Sequence, residues 1–424
     1  MRQKVLIFPS GAENALEINE AIKHSVHVEV IPGSGRNDYS ELIYEEPVRR
    51  LPFLNDSNFL GELNNLIEKE GIQLIFPTDD TAALVLTKHR DEINARIISA
   101  DYYTNDICRY KVKTYELFKG EKFCPKIYTD LLSPIEYPIF SKPNVGQGAQ
   151  GVKLIENRAE HEALLNESDT IFVEYLPGKE YTVDCFTNRK GELLFAGPRE
   201  RAEVKMGISF KTFEYDDSGE IQEIAERINK KLKFRGLWFF QLKEDKRGNL
   251  RLLEVSTRTA GTMGYFRHKG VNLPLFSVYD ALDMDVEINK ADFDVTLFRT
   301  TRNKYKYNIK YSCAYIDYDD TVIVNGKVNR EIMAFIYQCK NNGIKVYLIT
   351  KHGYHVHQSL RNYCIDPGIF DKIILLRLEE KKSDYIEEKD AIFIDNWYKE
   401  RKEVREMHGI PCFDVDIVES LIIN

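Results

Sequence analysis

The length, composition and charge of the chain describe a globular protein with several packing units. The sequence has 424 residues, of which 43% are hydrophobic and 30% are charged, and its formal net charge is −8. A single hydrophobic core rarely grows beyond about 250–300 residues, so more than one core is predicted. The acidic balance argues against a general nucleic-acid binder. No apolar run approaches the roughly 20 residues that cross a bilayer, so no membrane partner is predicted.

The N-terminal part alternates strand and helix patterns. Residues 4–8, 26–31 and 72–76 have the composition of buried strands, and residues 58–70 have a helical pattern. This alternation predicts a small parallel sheet with flanking helices. The apolar run at the start is too short for a secretory leader, and the seven cysteines are scattered without a CxxC pair. A reducing, cytoplasmic location is therefore predicted.

The middle of the chain has short alternating strands and glycine-rich turns, which predict an antiparallel α+β body. Its residues 142–151 read Lys-Pro-Asn-Val-Gly-Gln-Gly-Ala-Gln-Gly. Closely spaced glycines let backbone N–H groups converge on an anion, and the preceding lysine adds a compensating charge. Taken alone, the pattern is equally typical of a flexible hairpin loop.

A predicted hairpin places an amide beside a carboxylate. The apolar stretches 237–242 and 250–255 flank a polar turn. A two-residue loop at Arg247-Gly248 would set Gln241 opposite Glu254. Oxygen donors paired in this way within apolar strands suit Mg²⁺ bound together with nucleotide phosphates. The alternative is that Glu254 is merely a surface position of the strand.

Near the C-terminus, three apolar runs end at polar residues. Residues 313–316 precede Asp317 and Asp319, residues 345–349 precede Thr350, and residues 391–394 precede Asp395. Ligands of open parallel sheets bind outside the carboxyl ends of the strands. Two carboxylates spaced two residues apart can face the same side, where they can bind Mg²⁺ while one attacks phosphorus. The pattern predicts a phosphoryl-transfer site.

Residues 1 to about 285 resemble ATP-grasp proteins of the carboxylate–amine ligase type. The resemblance rests on the segment 142–151, on the stretch 173–180 and on Glu254-Val255-Ser256-Thr257-Arg258. It implies ATP and Mg²⁺ as cofactors. It also implies an acyl phosphate, formed from a small-molecule carboxylate and then attacked by an amine.

The same resemblance assigns roles to single residues. The nucleotide-binding positions would be Lys111, Lys142, Gly146, Gly148, Gln150, Gly151, Glu174, Leu176 and Glu180. The two lysines would contact phosphates, residues 174 and 176 would meet adenine through backbone groups, and residue 180 would bind the ribose. Magnesium would be held by Gln241, Glu254 and Ser256, the last standing where the family usually has Asn. Arg258 would stabilise the transferring phosphoryl group. The substrate candidates are Arg199, Arg201 and Arg267, although a solvated charged strand is an equal alternative for the first two.

Residues 311–424 resemble a phosphatase domain of the haloacid dehalogenase type. The resemblance makes Asp317 the nucleophile and Asp319 the general acid and base. Thr350 would bind the phosphoryl oxygens, and Lys382, favoured over Lys381, would neutralise charge. Magnesium would be held by Asp317, Asp319 and Asp395. About 29 residues separate Thr321 from Thr350, which leaves little or no room for a cap domain.

These patterns predict a multidomain α/β and α+β protein with four segments. A Rossmann-like domain would cover 1–100, an ATP-grasp body 101–289, a connector 290–310 and a doubly wound, haloacid dehalogenase-like sheet 311–424. The predicted function is a bifunctional enzyme that combines an ATP-dependent ligase with a Mg²⁺-dependent phosphatase acting on a phosphorylated small molecule. A homo-oligomer is compatible with it. Two alternatives stay open. One is an ATP-grasp kinase, and the other is an ATP-binding regulatory scaffold with an inactive tail. The scaffold is favoured by Ser256 and Asn396, which stand where the two families commonly have other metal ligands.

Overall fold

Two units account for the chain, Met1–Thr301 and Arg302–Asn424. The computed structural model describes residues 2–129, 135–146, 150–165, 169–301, 303–352 and 355–422. Among the helices in these ranges, none combines the length and the apolar character needed to span a bilayer.

A five-stranded parallel sheet opens the first unit, in the spatial order β3-β2-β1-β4-β5. Its elements are β1 (Gln3–Phe8), α1 (Glu13–Ile22), β2 (Val28–Ser34), β3 (Arg49–Arg50), α2 (Phe59–Glu70), β4 (Leu74–Pro77), α3 (Asp80–Lys88) and β5 (Arg96–Ile97). The middle strand is apolar and buried from Val5 to Phe8, because helices cover both faces of the sheet there. Val5 and Ile7 pack in the core that contains α1, and Leu6 and Phe8 pack in the core that contains α2. The predicted strand–helix alternation is thus present.

A four-stranded antiparallel sheet follows, in the order β6-β9-β7-β8. Its elements and the helices around it are α4 (Tyr102–Arg109), α5 (Lys111–Leu117), β6 (Ile127–Tyr128), β7 (Ile139–Pro143), β8 (Lys153–Ile155), α6 (Arg158–Leu164) and β9 (Thr170–Glu174). The segment with the glycines joins β7 to β8.

A six-stranded antiparallel sheet completes the first unit, in the order β14-β13-β10-β11-β12-β15. Its elements are β10 (Glu180–Thr187), β11 (Leu193–Lys205), β12 (Ile208–Glu214), α7 (Glu220–Lys231), β13 (Gly236–Glu244), β14 (Leu250–Ser256), α8 (Gly264–Arg267), α9 (Leu273–Ala281) and β15 (Thr296–Phe298). Strand β15 lies within the range predicted as a connector, 290–310, and pairs with β12. The first part of that range therefore belongs to the sheet and not to a free linker, because Thr296 and Leu297 complete the edge next to Phe213 and Thr212.

The hairpin of β13 and β14 has the predicted pairing at its site end and a different turn. Gln241 pairs with Glu254, as expected, but the register shifts after Gln241, so Leu242 pairs with Leu252. The turn is longer than two residues, since the Asp245 carboxylate accepts hydrogen bonds from the backbone N–H groups of Arg247 and Asn249. The shift also puts Leu252 in the core, away from the face that carries Glu254.

The second unit has a five-stranded parallel sheet in the order β20-β19-β16-β21-β22. Its elements are β16 (Cys313–Ile316), β17 (Ile323–Val324), β18 (Lys327–Val328), α10 (Arg330–Asn341), β19 (Lys345–Thr350), α11 (Val356–Asn362), β20 (Lys372–Leu375), β21 (Ala391–Ile394), α12 (Tyr398–His408), β22 (Cys412–Phe413) and α13 (Val418–Leu421). The strand order runs outward on both sides of β16, which is a doubly wound arrangement. Between Thr321 and Thr350 the chain forms one small hairpin and one helix, and no further domain.

Candidate active sites

A row of polar side chains crosses the six-stranded sheet of the first unit. Glu254 of β14 pairs with Gln241 of β13, and Gln241 pairs with Thr182 of β10. Thr182 pairs in turn with Arg199 of β11. Directly paired residues point to the same face of a sheet. The opposite face carries the core residues Val183, Phe240 and Leu242, among others. The row therefore places several predicted site residues on one face of the sheet, which further along also carries the core residues Phe186 and Phe239.

The carboxylate of Glu254 forms no hydrogen bond or ion pair within the described ranges. Its charge acts on the pKa values of three cationic groups, Lys111, Lys142 and Arg258. A carboxylate without a partner, beside the amide of Gln241, suits a hard cation that accompanies phosphates. The pair therefore fits Mg²⁺. In the described part of the chain, His, Cys, Asp and Glu side chains form no group of three or more that could hold a metal ion, so phosphates and water would complete the coordination.

Asp80, the first residue of α3, reaches the same face from the N-terminal sheet. It accepts a hydrogen bond from Ser256 Oγ at 2.6 Å and lies 2.9 Å from Arg258 Nε. Burial acts to raise the pKa of Asp80, but the charge of Arg258 together with the hydrogen bonds from Ser256 and Arg258 outweighs burial and holds that pKa below its usual value. Ser256, predicted as a magnesium ligand, is thus engaged by Asp80. The sequence analysis missed Asp80, although its position just after a strand of a parallel sheet could have signalled it.

Two lysines, Lys142 and Lys111, lie near the carboxylate of Glu254. Lys142 Nζ donates hydrogen bonds to Tyr115 Oη at 2.5 Å and to the Leu253 carbonyl at 3.3 Å. Burial and, to a smaller extent, the charge of Lys111 lower the pKa of Lys142 to about 7. Lys111 begins α5, its Nζ lies 3.4 Å from the Gly146 carbonyl, and burial lowers its pKa as well. Neighbouring cations with lowered pKa values favour an anionic ligand between them.

The glycine segment between β7 and β8 is described only in part. Gly148 lies in 147–149, outside the described residues, whereas Gly146, Gln150 and Gly151 are described. Gly151 has φ +71°, and a Cβ atom there would lie 2.9 Å from Pro143 Cγ. Glycine is therefore required at this position.

Three residues are predicted to bind adenine and ribose, and the side chains of the two glutamates among them contact other residues of the protein. The Glu174 carboxylate accepts a hydrogen bond from the Lys126 N–H at 2.8 Å and lies 3.5 Å from Arg251 Nε. Leu176 is buried. Glu180 pairs with Arg201 and lies 3.5 Å from Lys243 Nζ. The charges of Glu180 and Arg201 thus compensate each other. The predicted adenine contacts of residues 174 and 176 use backbone groups, so these side-chain contacts do not affect that prediction.

The other two arginines predicted to bind substrate also form ion pairs. Arg199 is fully buried, and its Nε and Nη2 atoms contact the two carboxylate oxygens of Asp184 at 2.7 and 3.1 Å. Arg267 Nε lies 2.9 Å from Glu17. A bidentate, fully buried pair such as 199–184 costs several kcal/mol to break. We therefore assign Arg199 to the framework of the sheet.

Arg299, just after β15, is an arginine that the sequence analysis missed. Its guanidinium contacts the Gly261 carbonyl and lies 3.6 Å from Glu13. Burial and the charges of Arg199 and Arg201 lower the pKa of Arg299, whereas the charges of Glu13 and Glu17 oppose this shift without cancelling it. Its position within the predicted connector hid it from sequence analysis. Like-charge crowding at this place favours an anionic group of a substrate.

In the second unit, the predicted residues Asp317, Lys382 and Asp395 come together. Lys382 Nζ lies 2.5 Å from Asp317 Oδ1 and 2.6 Å from Asp395 Oδ2, and all three are buried. Burial raises the pKa of Asp317 to about 6, and the charge of Asp395 contributes to the rise. Two buried carboxylates that share one ammonium keep an excess negative charge, so Asp317 and Asp395 fit a divalent cation. Lys381, in contrast, lies 3.3 Å from Glu403.

Asp319 does not join this cluster with its side chain. Its two carboxylate oxygens lie 2.8 and 3.0 Å from His352 Nδ1. The Asp319 carboxylate is thus engaged by His352, and its role as a magnesium ligand stays a prediction. Thr350 is buried, and its Oγ1 accepts a hydrogen bond from the His352 N–H at 3.1 Å. Asp320, where the resemblance expects glycine, has φ +55°, a conformation that Asp tolerates better than most residues.

The first unit also resembles known proteins. The family described as ATP-grasp in the biosynthetic pathway with Ter operon matches residues 166–302. The biotin carboxylase domain of 2-oxoglutarate carboxylase from Hydrogenobacter thermophilus, solved with MgADP and bicarbonate, is 15% identical, with a TM-score of 0.55 over 68% of this chain and 72% of that chain. L-amino acid ligase from Bacillus licheniformis is 17% identical, with a TM-score of 0.53 over 66% of this chain and 74% of that chain. The first unit has an ATP-grasp fold.

A curated protein is also similar to the chain in sequence. The arginine-specific large chain of carbamoyl phosphate synthase from Bacillus subtilis (strain 168) is 24% identical over 280 residues, which are 60% of this chain and 26% of the relative. The chain thus spans about a quarter of that relative's length. The family match ends at residue 302. The resemblance of residues 311–424 to haloacid dehalogenase-type phosphatases therefore stays a prediction.

Proposed function

We propose that the ATP-grasp unit is an ATP-dependent ligase that joins a small-molecule carboxylate to an amine through an acyl phosphate. One observation carries the proposal: Glu254 has no partner in the described ranges, stands opposite Gln241, and faces the cationic groups of Lys111, Lys142 and Arg258. This is a place for phosphate oxygens with a hard cation. MgADP in the biotin carboxylase relative supports the same cofactors for this chain.

The residues of the site can perform three tasks in this reaction. Lys142 and Lys111 bind phosphate oxygens, and Gln241 and Glu254 would hold Mg²⁺, which neutralises phosphate charge when bound. Arg258, which Asp80 contacts at 2.9 Å, would stabilise the transferring phosphoryl group. The substrate carboxylate attacks the γ-phosphorus and the bond to ADP breaks. The amine then attacks the acyl carbon, loses a proton to solvent, and phosphate leaves. Positioning and charge neutralisation supply most of the rate in such transfers.

Arg299 supports an acid substrate with a second anionic group. Its guanidinium lies near those of Arg199 and Arg201, and each of these already has a carboxylate of its own, Asp184 or Glu180. Glu13, at 3.6 Å, neutralises Arg299 only in part. A carboxylate or phosphate on the substrate would complete the compensation.

Hydroxylamine trapping tests the ligase. The full chain is incubated with ATP, Mg²⁺, hydroxylamine and a panel of carboxylic acids, and hydroxamate and ADP are measured. A hydroxamate that depends on both ATP and one acid is the expected result. Phosphorylated product without hydroxamate identifies the kinase alternative, and nucleotide binding without turnover across the panel identifies the scaffold.

For the second unit we propose a phosphatase that uses Asp317 as the nucleophile. The proximity of Asp317, Lys382, Asp395 and Thr350 at the carboxyl ends of β16, β19 and β21 supports it. Asp317 would attack phosphorus while Asp319 gives a proton to the leaving alcohol. Asp319 then takes a proton from the water that cleaves the aspartyl phosphate. Mg²⁺, held by Asp317 and Asp395, would neutralise the phosphoryl oxygens.

Hydrolysis of phosphate esters by the full chain tests this second activity. Asp317→Asn keeps the shape of the side chain and should lower hydrolysis at least about a thousandfold. Asp320→Asn, at an exposed position of the same turn, is the matched control. Equal rates in the two variants would remove the phosphatase proposal.

The absence of disulfides among the seven cysteines suits the cytoplasmic location that we also propose.

A further inference from the structure

A cavity of about 800 Å³ lies in the first unit, away from the proposed ligase site. It is formed by the amino ends of the parallel sheet, which contribute Gln3, Gln73 and Arg96, and by residues around β13 and α9, such as Arg235 and Asp280. Its lining includes none of the groups that surround Glu254. A cavity of this volume holds a small metabolite.

The lining of this cavity has more cationic than anionic groups. Its charged residues are three arginines, Arg90, Arg96 and Arg235, and two aspartates, Asp280 and Asp283, which gives a net charge of +1. Both aspartates are already engaged. Asp280 pairs with Arg235 at 2.8 Å, and Asp283 lies 2.8 Å from Arg96 and 3.4 Å from Arg235.

Arg90 is the arginine of this lining that pairs with neither Asp280 nor Asp283. Its Nη2 atom donates to the carbonyl oxygens of Ser99 and Ala100 at 3.2 and 2.9 Å. Within the described ranges it forms no ion pair, and its Nε and Nη1 atoms have no hydrogen-bond acceptor. Burial and the neighbouring charge of Arg235 lower the pKa of Arg90, whereas the charges of Asp101 and Asp91 oppose this shift without cancelling it. Three N–H donors of a charged side chain that lines the cavity thus have no acceptor in the described ranges.

We propose that this cavity binds a small anion through phosphate or carboxylate oxygens, held between the guanidinium groups of Arg90 and Arg235. A planar guanidinium donates two parallel hydrogen bonds to either kind of oxyanion. An anion here offsets the repulsion between the two arginines. It also links the segment between α3 and β5 to the residue just before β13, so binding stabilises the folded first unit.

Calorimetric titration of the full chain tests the proposal with three probes, inorganic phosphate, pyrophosphate and citrate, in a buffer without other polyvalent anions. We expect saturable binding of at least one probe, together with a higher melting temperature. Tighter binding of phosphate or pyrophosphate would indicate a phosphoryl ligand, and tighter binding of citrate would indicate a carboxylate ligand. The readouts are heat and melting temperature, so the result does not depend on whether the proposed ligase turns over.

Arg90→Gln should weaken that binding at least tenfold, whereas Arg90→Lys should retain part of it. Arg247→Gln, at an exposed hairpin turn, is the control for a lost arginine and should bind like the unchanged chain. If Arg90→Gln does not fold, Arg90→Lys takes its place, because a lysine cannot donate two parallel hydrogen bonds to one oxyanion and should still weaken binding measurably. Equal affinity in the tested variant and in the unchanged chain, or no saturable binding of the three probes at millimolar concentration, overturns the proposal.

Discussion

The Nζ atom of Lys382 lies 2.5 Å from Asp317 Oδ1, and both side chains are buried. Lys382→Met leaves this carboxylate and that of Asp395 without their shared cation. Removing one partner of a buried ion pair costs about 3–5 kcal/mol, and we expect the unfolding free energy of the second unit to fall by that amount at neutral pH. Urea denaturation measures it. Lys381→Met, which loses only an exposed ion pair, should cost less than about 1 kcal/mol.

The raised pKa of Asp317 predicts how stability depends on pH. The folded value is about 6, and the ordinary value of an unfolded Asp is about 3.9. The folded state therefore binds the proton more tightly. The contribution of this group is fully present below about pH 4 and is lost as pH rises through about 6, a loss of about 3 kcal/mol. Denaturation of the metal-free protein across this range should show the decrease, and Asp317→Asn should flatten it. A stability that rises between pH 4 and 6 in the unchanged chain relative to Asp317→Asn would contradict the raised pKa.

Glu254→Gln should weaken MgADP binding at least about tenfold, because it removes the charge that the cation needs and keeps the shape of the side chain. Equilibrium binding of a fluorescent ADP analogue, with and without Mg²⁺, measures the effect. The loss should be confined to the Mg²⁺-dependent part of the affinity. Glu192→Gln, an exposed position that contacts the neighbouring turn, is the control. Equal Mg²⁺ dependence in the two variants would exclude Glu254 as a ligand.

The lowered pKa of Lys142 predicts that the protein takes up a proton when it binds nucleotide. Its pKa of about 7 in the free protein makes the side chain mostly neutral at about pH 8. Phosphate favours the charged form and raises the pKa of the bound lysine. Binding of MgADP at about pH 8 should then take up close to one proton, and at about pH 6 almost none. Calorimetry in two buffers with different ionisation enthalpies counts the protons. The uptake should vanish in Lys142→Met, and an unchanged count there would place the titrating group elsewhere.

Arg199 is predicted to stabilise the fold rather than to bind substrate. Arg199→Met leaves Asp184 buried and unpaired, which should cost about 3–5 kcal/mol of unfolding free energy. Asp184 would then be most stable when protonated, so the variant should lose less stability at low pH. Thermal and urea denaturation of the first unit within the full chain measure both effects. A variant of normal stability with a raised KM for the acid would restore the substrate role predicted from the sequence.

Some of the ligase site could be predicted from local sequence. The apolar stretches around the hairpin turn were enough to place Gln241 opposite Glu254, because the strand period fixes which residues face each other. The turn itself was predicted too short, since a register shift after Gln241 leaves no mark in the apolar pattern. Asp80 and Arg299 were missed, because their partners Ser256, Arg258 and Glu13 lie far away in sequence.

The sequence by itself determined where strands end and which polar residues follow them, as at Asp317, Thr350 and Asp395. These follow from periodicity within a few residues. Only the tertiary structure decided the partners of the charged groups. It joined Arg199 to Asp184, turned Asp319 toward His352, and left Glu254 without a partner in the described ranges. The physical reason is that ion pairing depends on distances across the folded chain, which composition and spacing do not encode.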